Sequence, residues 1–152
     1  MPEIPVLYSG QLEPGDLRFA EILEGRFGSE QLFGGRTWVD LLAVALGQGH
    51  ARLTSTHADS EKAVQELRRR TGCAIRRGRL EGHKPISRTN LCVRHRDADA
   101  SWQASCSIAW ILDVGIELKV RWTDPSSKYA NETRILRHRS FGQEVEMLLR
   151  LQ

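Results

Sequence analysis

The chain has 152 residues, 40% hydrophobic and 27% charged, the proportions of one ordinary globular domain. A chain of this length buries roughly 70% of its unfolded surface, so its folding needs no metal or disulfide. No apolar stretch, residues 108–112 among them, is long enough for a bilayer, and the opening MPEIPVLYSG lacks the basic segment and apolar run of a signal peptide, so a single cytoplasmic α+β domain over 1–152 with no membrane partner is expected.

In chain order, Ile4 to Tyr8 reads as a short first strand, confined to a sheet edge by Pro5, and Glu13-Pro14-Gly15 as a turn. Asp16 is a suitable N-cap for a helix over Leu17 to Arg26, where Phe19, Ile22, Leu23 and Phe27 recur with helical spacing until Gly28. Thr37 caps a second helix with Asp40 in its first turn and an apolar stripe of Trp38, Leu41, Leu42, Ala45 and Leu46, ended by Gly47 and Gly49. A third helix opens at Asp59 or Ser60, buries Ala63, Val64 and Leu67, and closes on Gly72.

Beyond Gly72 the period changes to alternation, the mark of strands. Ala74 to Leu80 and Thr89 to Arg96 are strand candidates around the loop Gly82-His83-Lys84-Pro85. Ile108, Trp110, Leu112, Val114, Ile116, Leu118, Val120 and Trp122 share even parity, which a three-residue loop Asp113-Val114-Gly115 would preserve in a hairpin, with Gly115 in the left-handed conformation and Glu117, Lys119 and Arg121 on the polar face. Thr133 to His138 follows as a final strand, and Ser140 with Gln143 forms a capping box for a terminal helix expected to bury Phe141, Val145, Leu148 and Leu149. The sum is an α+β fold: a mainly antiparallel sheet of four to five strands in the C-terminal two thirds, packed with three N-terminal helices and one C-terminal helix.

The net charge of +3 conceals a segregation of sign. Residues 1–67 carry five Lys/Arg against ten Asp/Glu, a net of −5; residues 68–96 carry ten Lys/Arg against Glu81 alone, a net of +9; the remainder is near neutral, with seven basic and eight acidic residues. The basic block comprises Arg68, Arg69, Arg70, Arg76, Arg77, Arg79, Lys84, Arg88, Arg94 and Arg96. Arginine offers bidentate donors to phosphate and stacks on bases, so this density points to a non-catalytic surface for DNA, RNA or a nucleoprotein complex. The competing readings are neutralisation by the acidic third within the fold and an acidic protein partner met by an adaptor or inhibitor. Trp102, near Asp97 to Ser101, is the aromatic placed to stack a base beside the arginines, whereas Trp110 and Trp122 read as core.

An enzymatic alternative rests on Glu117-Leu118-Lys119, which resembles the E-x-K half of a metal-dependent nuclease site and would need Asp97 or Asp99 as second carboxylate and Mg²⁺ or Mn²⁺. No cofactor is expected otherwise. His50, His57, His83, His95 and His138 show no helical metal-ligand spacing; His95 and His138, each at a basic strand end, form a possible acid/base pair for RNA cleavage, against plain surface residues. Gly34-Gly35 before Thr37 is an anion-binding turn or a simple chain reversal, and Cys73, Cys92 and Cys106, without CxxC spacing, read as buried thiols.

Overall fold

A computed structural model describes residues 3–34, 36–56 and 59–151. In chain order its elements are β1 (Val6–Tyr8), a single 3₁₀ turn (Ser9–Gln11), β2 (Ala20–Phe27), β3 (Glu30–Leu32), α1 (Trp38–Thr56), α2 (Ser60–Thr71), β4 (Ile75–Arg77), β5 (His83–Pro85), β6 (Leu91–Arg94), α3 (Ala98–Leu112), β7 (Ile116–Trp122), β8 (Thr133–His138) and α4 (Phe141–Arg150). The class is α+β, with two sheets. A five-stranded sheet has the order β1-β8-β7-β2-β3, antiparallel except for the parallel β1–β8 pair at its edge, and a three-stranded antiparallel sheet has the order β4-β6-β5. No helix among the described residues is long and apolar enough to cross a membrane.

The strictest alternation in the chain becomes β7, the middle strand of the larger sheet. Ile116, Leu118, Val120 and Trp122 are buried on one face, while Glu117, Lys119 and Arg121 line the other. Each buried aliphatic side chain of this kind contributes roughly 1.5–3 kcal/mol. Helices α1 and α3 pack on each other over this sheet, with Trp38 and Trp102 meeting edge to face at 6.1 Å. Two indole N–H groups tie the layers to backbone: Trp38 Nε1 donates to Ala20 O at 2.9 Å and Trp122 Nε1 to Asp16 O at 2.6 Å.

Several local expectations are corrected. The expected helix over Leu17 to Arg26 is strand β2, whose register against β7 slips at Leu23, between Ile22 and Glu24. The extra residue shifts the inward parity from Ala20 and Ile22 to Gly25 and Phe27, which turns a period of two into something resembling a helical repeat. Residues 108–112 are not a strand but the last turn of α3. Its buried positions Ser101, Trp102, Ser105, Ile108, Ala109 and Leu112 follow helical spacing, its start is capped by Asp97, and its end is Asp113 in the left-handed conformation (φ 54°). The left-handed residue is therefore Asp113 rather than Gly115. There is no hairpin loop at 113–115, yet β7 keeps the expected parity.

Gly47 and Gly49 do not end α1, which runs on to Thr56. They are close-approach sites: a Cβ on Gly47 would stand 2.5 Å from Ser87 O, and one on Gly49 3.1 Å from Leu67 Cδ2. α2 matches its expected caps, with Asp59 accepting from Glu61 N–H at 2.9 Å and Gly72 left-handed. α4 has its capping box, Gln143 N–H to Ser140 Oγ at 3.1 Å and Ser140 N–H to Gln143 Oε1 at 2.8 Å, but none of its residues is buried, so Phe141, Val145, Leu148 and Leu149 do not join the core.

Candidate nucleic-acid interface

The small sheet organises the basic block. Register places Ile75, Val93 and Lys84 side by side on one face and Arg76, Cys92 and Pro85 on the other, with Arg94 opposite His83 one pair further along. Ile75 and Val93 are buried, so Arg76 and Arg94 point away from the core, as diagonal neighbours across two strands. β4 and β5 both run antiparallel to β6 and flank it, so the connection 78–82 must cross that strand. Gly78 and Gly82, both at positive φ, shape the crossing, and Gly78 N–H donates to Asn90 O while His95 N–H donates to Gly82 O. The crossing accounts for the burial of Cys92 on the outward face, and it carries exposed Arg79 and the half-exposed Leu80.

The other cations of the block have partners, most of them from the acidic third of the chain. Glu66 receives both Arg69 (2.6 Å) and Arg70 (2.5 Å), and these two guanidiniums, Arg69 foremost, pull its carboxyl down to about 2. Arg77 pairs with Glu61 at 2.6 Å and Arg88 with Glu30 at 3.8 Å. Lys84 reaches inward to the buried carboxylate of Asp40 in α1. Arg68 caps the Ile75 carbonyl through Nε (3.0 Å) and Nη2 (2.6 Å), and Arg96 donates to Thr71 O and Cys73 Sγ, each at 3.3 Å. Among the described residues, Arg76, Arg79 and Arg94 have no carboxylate partner.

Two aromatic expectations are corrected. Trp102 is buried, between Trp38 and the ring of His138 at 6.4 Å, because it lies on the stripe of α3 that faces α1, so it cannot stack a base. Trp110, expected in the core, falls off that stripe and remains 45% exposed, with its ring edge-on to Phe141. Trp122 is fully buried as expected.

The nuclease residues do not come together. Glu117 is bound by Arg137 from β8 at 3.0 Å and lies opposite Arg26 of β2. Asp97 caps α3 through Ala100 N–H at 2.7 Å, and Asp99 holds the preceding turn by accepting from Gly15 N–H (2.9 Å) and Leu17 N–H (3.4 Å). That turn sits at the Trp122 end of β7, five residues beyond Glu117, which is roughly 16 Å at the rise of an extended strand. No group of three or more His, Cys, Asp or Glu able to hold a metal occurs among the described residues. The histidine pair is likewise divided. His95 is exposed beyond β6, while His138 Nδ1 bonds Ser9 Oγ at 3.0 Å and burial pulls its pKa below the usual histidine range. His57 and Gly35 lie outside the described residues, and Thr37 donates its N–H to Asp40 at 2.7 Å.

The chain matches no family model, and no curated protein or solved structure shows significant similarity to it.

Proposed function

We propose that this domain binds nucleic acid without catalysis, through the outward side of β4-β6-β5, with DNA, RNA or a nucleoprotein complex as partner. What carries the reading is the position of Arg76, Arg79 and Arg94: three exposed guanidiniums on one side of a sheet with no carboxylate among their described partners, in a chain that supplies carboxylates to the neighbouring cations. Five of the ten basic residues of the block are paired and two more cap backbone carbonyls, which narrows the contact surface from the whole block to these three, with Arg69 and Arg70 at its margin. Two guanidiniums on adjacent strands and a third on the crossing connection suit phosphates of one backbone. A cytoplasmic location fits this partner and the three free thiols.

The test is binding of the wild type and of Arg76→Ala/Arg79→Ala/Arg94→Ala to single- and double-stranded DNA and RNA at two salt concentrations, with and without Mg²⁺. Each lost phosphate contact should lower the log–log salt slope on duplex DNA by about 0.9, so three contacts remove about 2.7. A folded triple variant with unchanged affinity and slope would refute the reading. Cleavage that needs Mg²⁺ and vanishes in Glu117→Gln would instead establish the nuclease alternative.

A further inference from the structure

α4 carries its large apolar side chains outside the core. Leu148, Leu149 and Leu151 keep 60%, 62% and 77% of their surface exposed and Phe141 keeps 50%; Trp110 of α3 adjoins them with its ring 5.1 Å from that of Phe141. With aromatic side chains presenting about 150–250 Å² each when fully open and leucine and valine somewhat less, these residues and Val145 expose roughly 600 Å² of apolar surface, the upper end for the largest patch on a monomer. A helix of ten residues is marginal in water without tertiary packing. Among its ties to the body are the Ser140 cap, the bond from Gly142 N–H to Asp113 Oδ1 at 2.8 Å and the Phe141–Trp110 contact.

We propose that α4 and Trp110 form the interface of a two-fold dimer of this chain. Area supports a second copy as the occupant: two such patches facing each other remove at most roughly 1,200 Å² of apolar surface from water, the lower edge of the range of specific interfaces. The helix is self-complementary in the antiparallel sense. At 3.6 residues per turn, Phe141, Val145, Leu148 and Leu149 form one stripe, and a two-fold axis through its middle sets Val145 against Leu148 of the second copy and Phe141 against the C-terminal end of the opposing helix, with the two helix dipoles opposed. The margins meet as ion pairs rather than bare carboxylates, since Glu146 is held by Arg150 at 2.7 Å and Glu144 faces Arg139 at 3.9 Å. A lipid surface fits less well, because the arginines at the margins, Arg139 and Arg150, face glutamates of the same helix rather than standing free for anionic headgroups.

The inference is independent of the nucleic-acid reading. Light scattering coupled to size exclusion should give the wild type twice the 17.2 kDa chain mass at about 100 µM, with dissociation on dilution, and the Leu148→Glu/Leu149→Glu variant the single-chain mass at the same concentration. Both residues are exposed, so circular dichroism should be unchanged; where the charged pair alters helix content, Leu149→Gln serves as the milder variant and should raise the dissociation constant at least tenfold. A wild type that stays monomeric, a dimer indifferent to these variants, an open-ended assembly, or a monomer that instead sediments with phosphatidylcholine vesicles would each overturn the proposal.

Discussion

Lys84→Met distinguishes a cation that belongs to the basic face from one that belongs to the core. In the structure the Lys84 ammonium pairs with Asp40, a buried carboxylate in the first turn of α1 that also accepts from Thr37 N–H at 2.7 Å and Thr37 Oγ at 3.0 Å. Breaking a fully buried pair costs about 3–5 kcal/mol, but Lys84 is 38% exposed and the carboxylate would retain both threonine bonds, so solvent screening reduces the expected loss to about 1–2 kcal/mol. In a chain of this length that lowers the melting temperature by roughly 2–8 °C. The loss should depend on pH. Burial works against the charged form of Asp40, yet the bonds from Lys84 and then Thr37 outweigh it and hold the carboxyl below its ordinary value. A group depressed in the folded state contributes stability above its unfolded pKa, about 3.9 for Asp, and loses it as pH falls through the folded value. Urea titrations should therefore show the full difference between wild type and variant near neutrality and a shrinking one below about pH 4. Equal midpoints at neutral pH, or a gap undiminished in acid, would refute the assignment. So would a fall in nucleic-acid affinity matching that of the Arg76/Arg79/Arg94 variant.

Glu66→Gln should release Arg69 and Arg70 at the margin of the basic face, tightening duplex binding and steepening its salt slope by up to about 1.8; an unchanged slope would place both arginines outside the contact surface. Gly25→Ala should cost about 1–3 kcal/mol in denaturant titration, since the added Cβ would stand 2.5 Å from Glu117 O and 2.6 Å from Leu118 Cδ2, and free tolerance would mean that β2 and β7 do not pair in this register.

The fold was legible wherever local pattern and tertiary role agreed. α2 announces itself by Asp59 and Gly72, β7 by its alternation from Ile116 to Trp122 and α4 by Ser140 with Gln143, because caps and strand parity are written in neighbouring residues. β2 was illegible because its bulge at Leu23 is imposed by pairing with β7, nearly a hundred residues away, and pairing partners leave no trace in a local window. α3 is masked in the sequence because its last turn continues the even parity of β7 through Ile108, Trp110 and Leu112. The helical spacing of Ser101, Trp102, Ser105 and Ile108 behind Asp97 was the contrary signal, weakened by the small size of the serines and alanines that make up the buried stripe. The exposed state of α4 is a further case, since amphipathicity shows which residues share a face but not what covers it.

The candidate site was legible in charge but not in pairing, and the reason is physical. Glu30, Asp40, Glu61 and Glu66 all belong to the acidic third, and each meets a cation of the basic block, so the segregation of sign along the chain is in part the complementarity of two segments that fold against each other. Exposed pairs such as Arg77–Glu61 contribute at most about 1 kcal/mol to stability. Their larger effect is on where positive potential remains. They cancel it along α2 and the α1 side of the small sheet, and leave it at Arg76, Arg79 and Arg94, on the side where strand parity points away from the helices. On the proposed function, a partner steered by charge would meet one face of one small sheet, and the acidic residues that appear to oppose binding in the linear sequence would give the remaining field its direction.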